Sequence, residues 1–102
     1  MKFFKLFLFF LGLINVSAQT TTFKNYTLKD GLPSLNIKTI TQDSIGYLWF
    51  ATNKGIARFD GNDFITFSTK EDLISNKVNC LFIQNDSLLI GTDKGLSVRI
   101  NN

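Results

Sequence analysis

Beyond residue 19 the chain reads as short apolar runs of about four to seven residues, rich in β-branched and aromatic side chains and bounded by Gly, Asn and Asp. No helical 3.6 period runs through them. The runs predict strands at residues 37–42, 47–52, 55–59 and 64–67, with a shorter one at Tyr26-Thr27-Leu28 ahead of the turn group Lys29-Asp30-Gly31. Between them, Asp43-Ser44-Ile45-Gly46, Asn53-Lys54-Gly55 and Asp60-Gly61-Asn62-Asp63 set Asx and Gly where a tight reversal needs capped amides and positive φ. Strands joined by such hairpins predict one antiparallel meander. The run Leu48-Trp49-Phe50-Ala51 is apolar on both faces, so it is expected to be covered from both sides. Trp49 is then core rather than a platform for stacking sugars.

The meander repeats. Leu32, Ile37 and Ile40 align with Leu73, Val78 and Leu81 at a spacing of 41, while Thr52, Lys54, Gly55 and Ile56 align with Thr92, Lys94, Gly95 and Leu96 at 40. The lost residue falls where the hairpin at 43–46 shortens to Asn85-Asp86-Ser87, a place that tolerates length change. A period of about 40 residues with four strands per unit is that of propeller blades, whereas helical repeats of this length would show amphipathic helices. The predicted class is therefore all-β: an incomplete β-propeller with one four-stranded antiparallel blade at 32–72 and a partial second blade at 73–102. Residues 19–31 would add a strand and turn suited to closing a ring. Leaving the blade faces wet forfeits several kcal/mol at about 25 cal/mol per Å², comparable with the whole stability of a small domain. The segment alone is expected to fold poorly or to aggregate.

The first 18 residues have a different pattern. Lys2 and Lys5 precede the apolar run from Leu6 to Val16, and Val16-Ser17-Ala18 stands before Gln19, the three parts of a cleaved export signal. The uninterrupted apolar stretch is far shorter than the roughly 20 residues that span a bilayer. A signal at 1–18 implies a periplasmic or otherwise extracytoplasmic location. Without Lys2 and Lys5 the chain keeps nine basic against eight acidic residues, scattered along its length, which argues against a nucleic-acid partner. The single Cys80 lies in the apolar stretch Val78 to Ile83 and is read as a buried, inert thiol. A small exported domain normally leans on disulfides or a metal, so stability is expected to come from outside this sequence.

The absence of His removes Ser-His and Cys-His catalysis and imidazole metal sites. Asp43, Asp60, Asp63 and Asp86 each lie beside Gly, Asn or Ser and Asp93 lies two residues before Gly95, turn settings where a carboxylate caps amides. The cluster at 60–63 lacks the terminal Glu of a calcium loop. No catalytic residue, metal ligand or cofactor is therefore expected. Lys54 and Lys94 occupy equivalent turns of the two units, beside Asn53 and Asp93. Propeller symmetry sets these four on one rim, near the connection from Lys70 to Asn76, as candidate ligand-binding residues suited to an acidic glycan.

Asp30-Gly31-Leu32-Pro33-Ser34, the run from Gln42 to Thr52, and Gly55-Ile56-Ala57-Arg58-Phe59-Asp60-Gly61 resemble the two-component regulator propeller repeat. The positions that carry it are Asp43, Gly46, Trp49, Thr52, Gly55, Asp60 and Gly61, with Thr92 and Gly95 in the second unit. That unit departs from the pattern, with Leu89 in place of Trp and the Asp-x-x-Gly turn gone. The resemblance implies the non-catalytic start of a periplasmic sensor. Further blades, a β-sandwich, a transmembrane helix and a histidine kinase module would follow, and the ligand would be a small molecule or oligosaccharide from outside the cell. Membrane attachment would come only through those later segments. Rings close with about 4 to 8 blades, so two units ending at Asn102 are expected to be a truncated reading frame. A self-standing lectin-like module that completes a ring by homo-oligomerisation is the alternative. The start of a propeller hydrolase or lyase, with catalytic groups downstream, is a third.

Overall fold

The computed structural model describes residues 22–100; the export signal read at 1–18 lies outside them. The strands are β1 (Ile37–Gln42), β2 (Leu48–Thr52), β3 (Gly55–Phe59), β4 (Phe64–Phe67), β5 (Val78–Gln84), β6 (Ser87–Thr92) and β7 (Gly95–Ile100). They form two antiparallel sheets, β1-β2-β3-β4 and β5-β6-β7. The chain is thus all-β, with one four-stranded blade and three strands of another. β2 starts one residue later than the apolar pattern suggests because Tyr47 closes the turn: its amide donates to Asp43 Oδ1 at 2.9 Å.

The two sheets are copies in detail. In the first, pairing shifts between Ile37↔Thr52 and Thr39↔Ala51; in the second it shifts between Val78↔Thr92 and Cys80↔Gly91. Each shift leaves one extra residue in a bulge, Lys38 and Asn79. The turns match as well. Thr52 Oγ1 donates to the Gly55 carbonyl at 2.7 Å and accepts from the Lys54 amide at 3.0 Å. Thr92 makes the same two bonds, to Gly95 at 2.8 Å and from Lys94 at 3.2 Å.

The likeness extends upstream of Leu32. Single 3₁₀ turns at Leu28–Asp30 and Thr69–Glu71 each carry a capping box, Thr27 with Asp30 and Ser68 with Glu71, and each ends on a left-handed residue, Gly31 or Asp72. Tyr26 is therefore the counterpart of Phe67. The strand expected at 26–28 does not form: residues 22–27 make no ladder, and Leu28 is already in the 3₁₀ turn. In its place the capping box folds residues 27–31 into a local turn, the Thr27 amide donating to Asp30 Oδ2 at 2.7 Å and the Lys29 amide to Thr27 Oγ1 at 3.3 Å.

The core lies between the sheets. Trp49, Ala51 and Ile56 of the first meet Leu73, Val78, Leu88 and Ile90 of the second. Trp49 is 2% exposed, its ring stacked on Phe67 at 5.8 Å with the Arg99 guanidinium 5.6 Å from its centroid. It is core, as its setting predicts. On the other face of β2 Leu48 and Phe50 are half-buried, Phe50 meeting Phe64 edge to face at 5.7 Å, while Thr52 is fully buried. Cys80 corrects the reading from sequence: it is exposed. The bulge at Asn79 inverts the alternation of β5, turning Cys80 and Phe82 away from the first sheet. They join Leu96, Val98 and Ile100 on an open apolar face.

Candidate functional site

β1 and β5, the first strands of the two sheets, run beside each other. Their bulges re-aim the extra residue, a device that sheets use beside binding sites. Between the bulges is a polar cleft of about 120 Å³ lined by Lys38, Asn53, Lys77, Val78, Asn79 and Asp93. Asn53 enters from the β2–β3 turn, its Oδ1 accepting from the hydroxyl of buried Ser34 at 2.6 Å. Asp93 enters from the β6–β7 turn, its Oδ1 accepting from Asn79 Nδ2 at 2.8 Å. Two backbone bonds sew these turns to the chain entering β5: Gly55 N–H to Asn76 O at 2.8 Å and Asp93 N–H to Lys77 O at 3.2 Å. The two turns and the 68–77 connection therefore share one face, as the repeat symmetry requires.

Of the four rim residues expected from sequence, Asn53 and Asp93 line the cleft. Lys54 and Lys94 lie outside its lining, in exposed turns. Its positive charge comes instead from Lys38 and Lys77. Sequence reasoning missed both: Lys38 is the bulge residue of β1, and a bulge leaves no mark on the hydrophobic pattern, while Lys77 is brought in by the backbone bond from the Asp93 amide to its carbonyl. The available signal was the 41-residue offset, which pairs Lys38 with Asn79 and Asn36 with Lys77.

Of the five turn aspartates, Asp43 and Asp60 cap turn amides, while Asp63 and Asp93 accept from the side chains of Asn62 and Asn79. Asp43 Oδ1 accepts from the amides of Ile45, Gly46 and Tyr47 at 3.0, 2.9 and 2.9 Å, and its Oδ2 accepts from Trp49 Nε1 at 2.9 Å. Partial burial opposes its ionisation, but the indole and the three amides outweigh that and hold the carboxyl below its ordinary value. Asp60, ahead of Gly61, is lowered mainly by the amides of Asp63 and Asn62. Asp43 thus ties an edge turn to the buried tryptophan. Among the described residues no group of three or more His, Cys, Asp or Glu is placed to hold a metal. The cleft brings two lysines, two asparagines and an aspartate around a small polar volume.

Sheets of this repeat, stacked face to face with their turns on a common side, define a propeller-blade protein. Residues 31–54 match the family model described as two component regulator propeller. Over 63 residues the chain is 40% identical to Histidine kinase P4 of Formosa agariphila, a match covering 60% of this chain and 5% of that protein. Residues 31–54 thus match a two-component regulator propeller repeat, and the chain is similar to a short segment of a histidine kinase.

Proposed function

We propose that this chain opens the extracytoplasmic ligand-sensing propeller of a two-component sensor, whose output is a histidine kinase encoded with it. Residues 1–18 direct export, 32–72 and 73–102 are its first two units, and its own part is binding rather than catalysis. The ligand is an acidic oligosaccharide, met at the face that carries the cleft. The observation that supports this reading is the convergence of Lys38 and Lys77 with Asn53 and Asn79 beside the paired bulges. Ammonium groups at a partly enclosed site favour carboxylate-bearing sugars over neutral ones.

Calorimetric titration of the protein with a uronate-containing tetrasaccharide and its neutral counterpart tests it. The acidic sugar is expected to bind more tightly, to weaken with salt, and to lose about tenfold on Lys38→Ala or Lys77→Ala, the worth of one charge-assisted hydrogen bond. Equal affinity for both sugars, or indifference to both substitutions, would refute the assignment.

A further inference from the structure

The lining of the cleft is drawn from repeated positions, and it changes where the frame around it does not. Leu32, Ser34, Thr52 and Gly55 of the first unit recur as Leu73, Ser75, Thr92 and Gly95. Both serines are 7% exposed and hold the chain entering the first strand of each sheet: Ser34 Oγ accepts from the Asn36 amide at 3.0 Å, and Ser75 Oγ from the Lys77 amide at 3.2 Å. At the polar positions that line the cleft from the second unit, Lys77, Asn79 and Asp93 stand where the first unit has Asn36, Lys38 and Asn53. The frame is copied while the lining is exchanged.

The exchange of Asn53 for Asp93 alters what the side chain does. Asn53 Oδ1 accepts from the Ser34 hydroxyl at 2.6 Å, which binds it into the frame. Asp93 turns instead to the bulge, its Oδ1 accepting from Asn79 Nδ2 at 2.8 Å. Its turn does not need it as a cap, because Thr92 Oγ1 already accepts from the Lys94 amide at 3.2 Å and donates to the Gly95 carbonyl at 2.8 Å. The Asp93 amide is anchored on Lys77 O at 3.2 Å. A carboxylate offers about four acceptor sites, and Asn79 uses one of them. Among the described residues that line the cleft Asp93 is the carboxylate, and its −1 against +2 from Lys38 and Lys77 leaves a net charge of +1. A carboxylate beside two ammonium groups works against a ligand chosen for negative charge alone. It accepts from hydroxyl groups and repels a second anion, the repulsive element by which a site discriminates.

We propose that Asp93 is the specificity-determining residue of this cleft: it selects a sugar unit that carries a single negative charge and a free hydroxyl, and it rejects the same unit once that hydroxyl is esterified by sulfate. Lys38 and Lys77 take the single charge, and the hydroxyl donates to the Asp93 carboxylate. Sulfation reverses both halves of the match, since the donor is lost and a second negative charge meets Asp93. This assignment deepens the binding role proposed above and rests on it.

Titration of the wild type and of Asp93→Asn with a uronate-containing tetrasaccharide, and with the same sugar sulfated on its uronate hydroxyls, tests it. Asn at this position keeps an oxygen to accept from Asn79 Nδ2 but carries no charge, and Trp49 emission reports that each variant is folded. The wild type is expected to bind the unsulfated sugar at least about tenfold more tightly, the effect of one hydrogen bond to a charged group. Asp93→Asn is expected to bring that ratio to about one or to reverse it, because the repulsion goes with the charge. Lys94→Ala, in an exposed turn outside the lining, is expected to keep the wild-type ratio. A wild type without the preference, a ratio that survives Asp93→Asn, or a ratio lost equally in Lys94→Ala would overturn the assignment and leave the acidic-sugar reading standing. Failure of the wild type to bind either sugar would overturn both.

Discussion

Gly55→Ala probes the joint where the repeat holds strand, turn and connection together. Gly55 has φ 114°, and a Cβ there would fall 2.5 Å from the Phe67 carbonyl oxygen. Its own amide donates to Asn76 O at 2.8 Å. Two costs therefore combine: backbone strain of about 1 to 3 kcal/mol for a side chain in that region, and an overpacking cost of about 1 to 3 kcal/mol because the obstacle is backbone and cannot rotate away. Gly46 separates them. It has φ 109° but open space around a built Cβ, so Gly46→Ala carries the strain alone. We expect Gly46→Ala to lose about 1 to 3 kcal/mol and Gly55→Ala about 2 kcal/mol more, a large share of the roughly 5 to 15 kcal/mol that holds a small domain. Urea unfolding followed by emission of Trp49, the single tryptophan, measures both. Gly55→Ala falling within about 0.5 kcal/mol of Gly46→Ala would show that the β3–β4 contact yields freely and would refute the reasoning.

Asp43 makes stability pH-dependent in a stated direction. Its carboxyl is held low in the folded chain, so the stability it contributes is present above the ordinary carboxylate value and is lost as pH falls through the lowered one. Acid titration of Trp49 emission should show that loss, and Asp43→Asn should remove it; an identical acid profile in the variant would contradict the capping role. Cys80, exposed on the outer face of β5, should react with a maleimide without denaturant. Native labelling as slow as that of a buried thiol would place Cys80 in a core after all.

The alternation of apolar runs and Asx-Gly turns was enough to place β1, β3 and β4 at their observed bounds, because strand period and hairpin chemistry act over a few residues. The repeat offset likewise disclosed two copies of one unit, since equivalent positions must meet equivalent neighbours. Three features came only with the fold. The bulges at Lys38 and Asn79 arise from how β1 and β5 pair, so neither the lysine-bearing cleft nor the exposure of Cys80 shows in the one-dimensional pattern. The capped turn at residues 27–31 won over a strand at 26–28 because satisfying amides locally outweighed a ladder with no partner among the described residues. The counterpart relation of Tyr26 to Phe67 appeared only when two capping boxes could be superposed. Local backbone preference is written in the order of residues, whereas which faces are covered depends on what the sheets bring together.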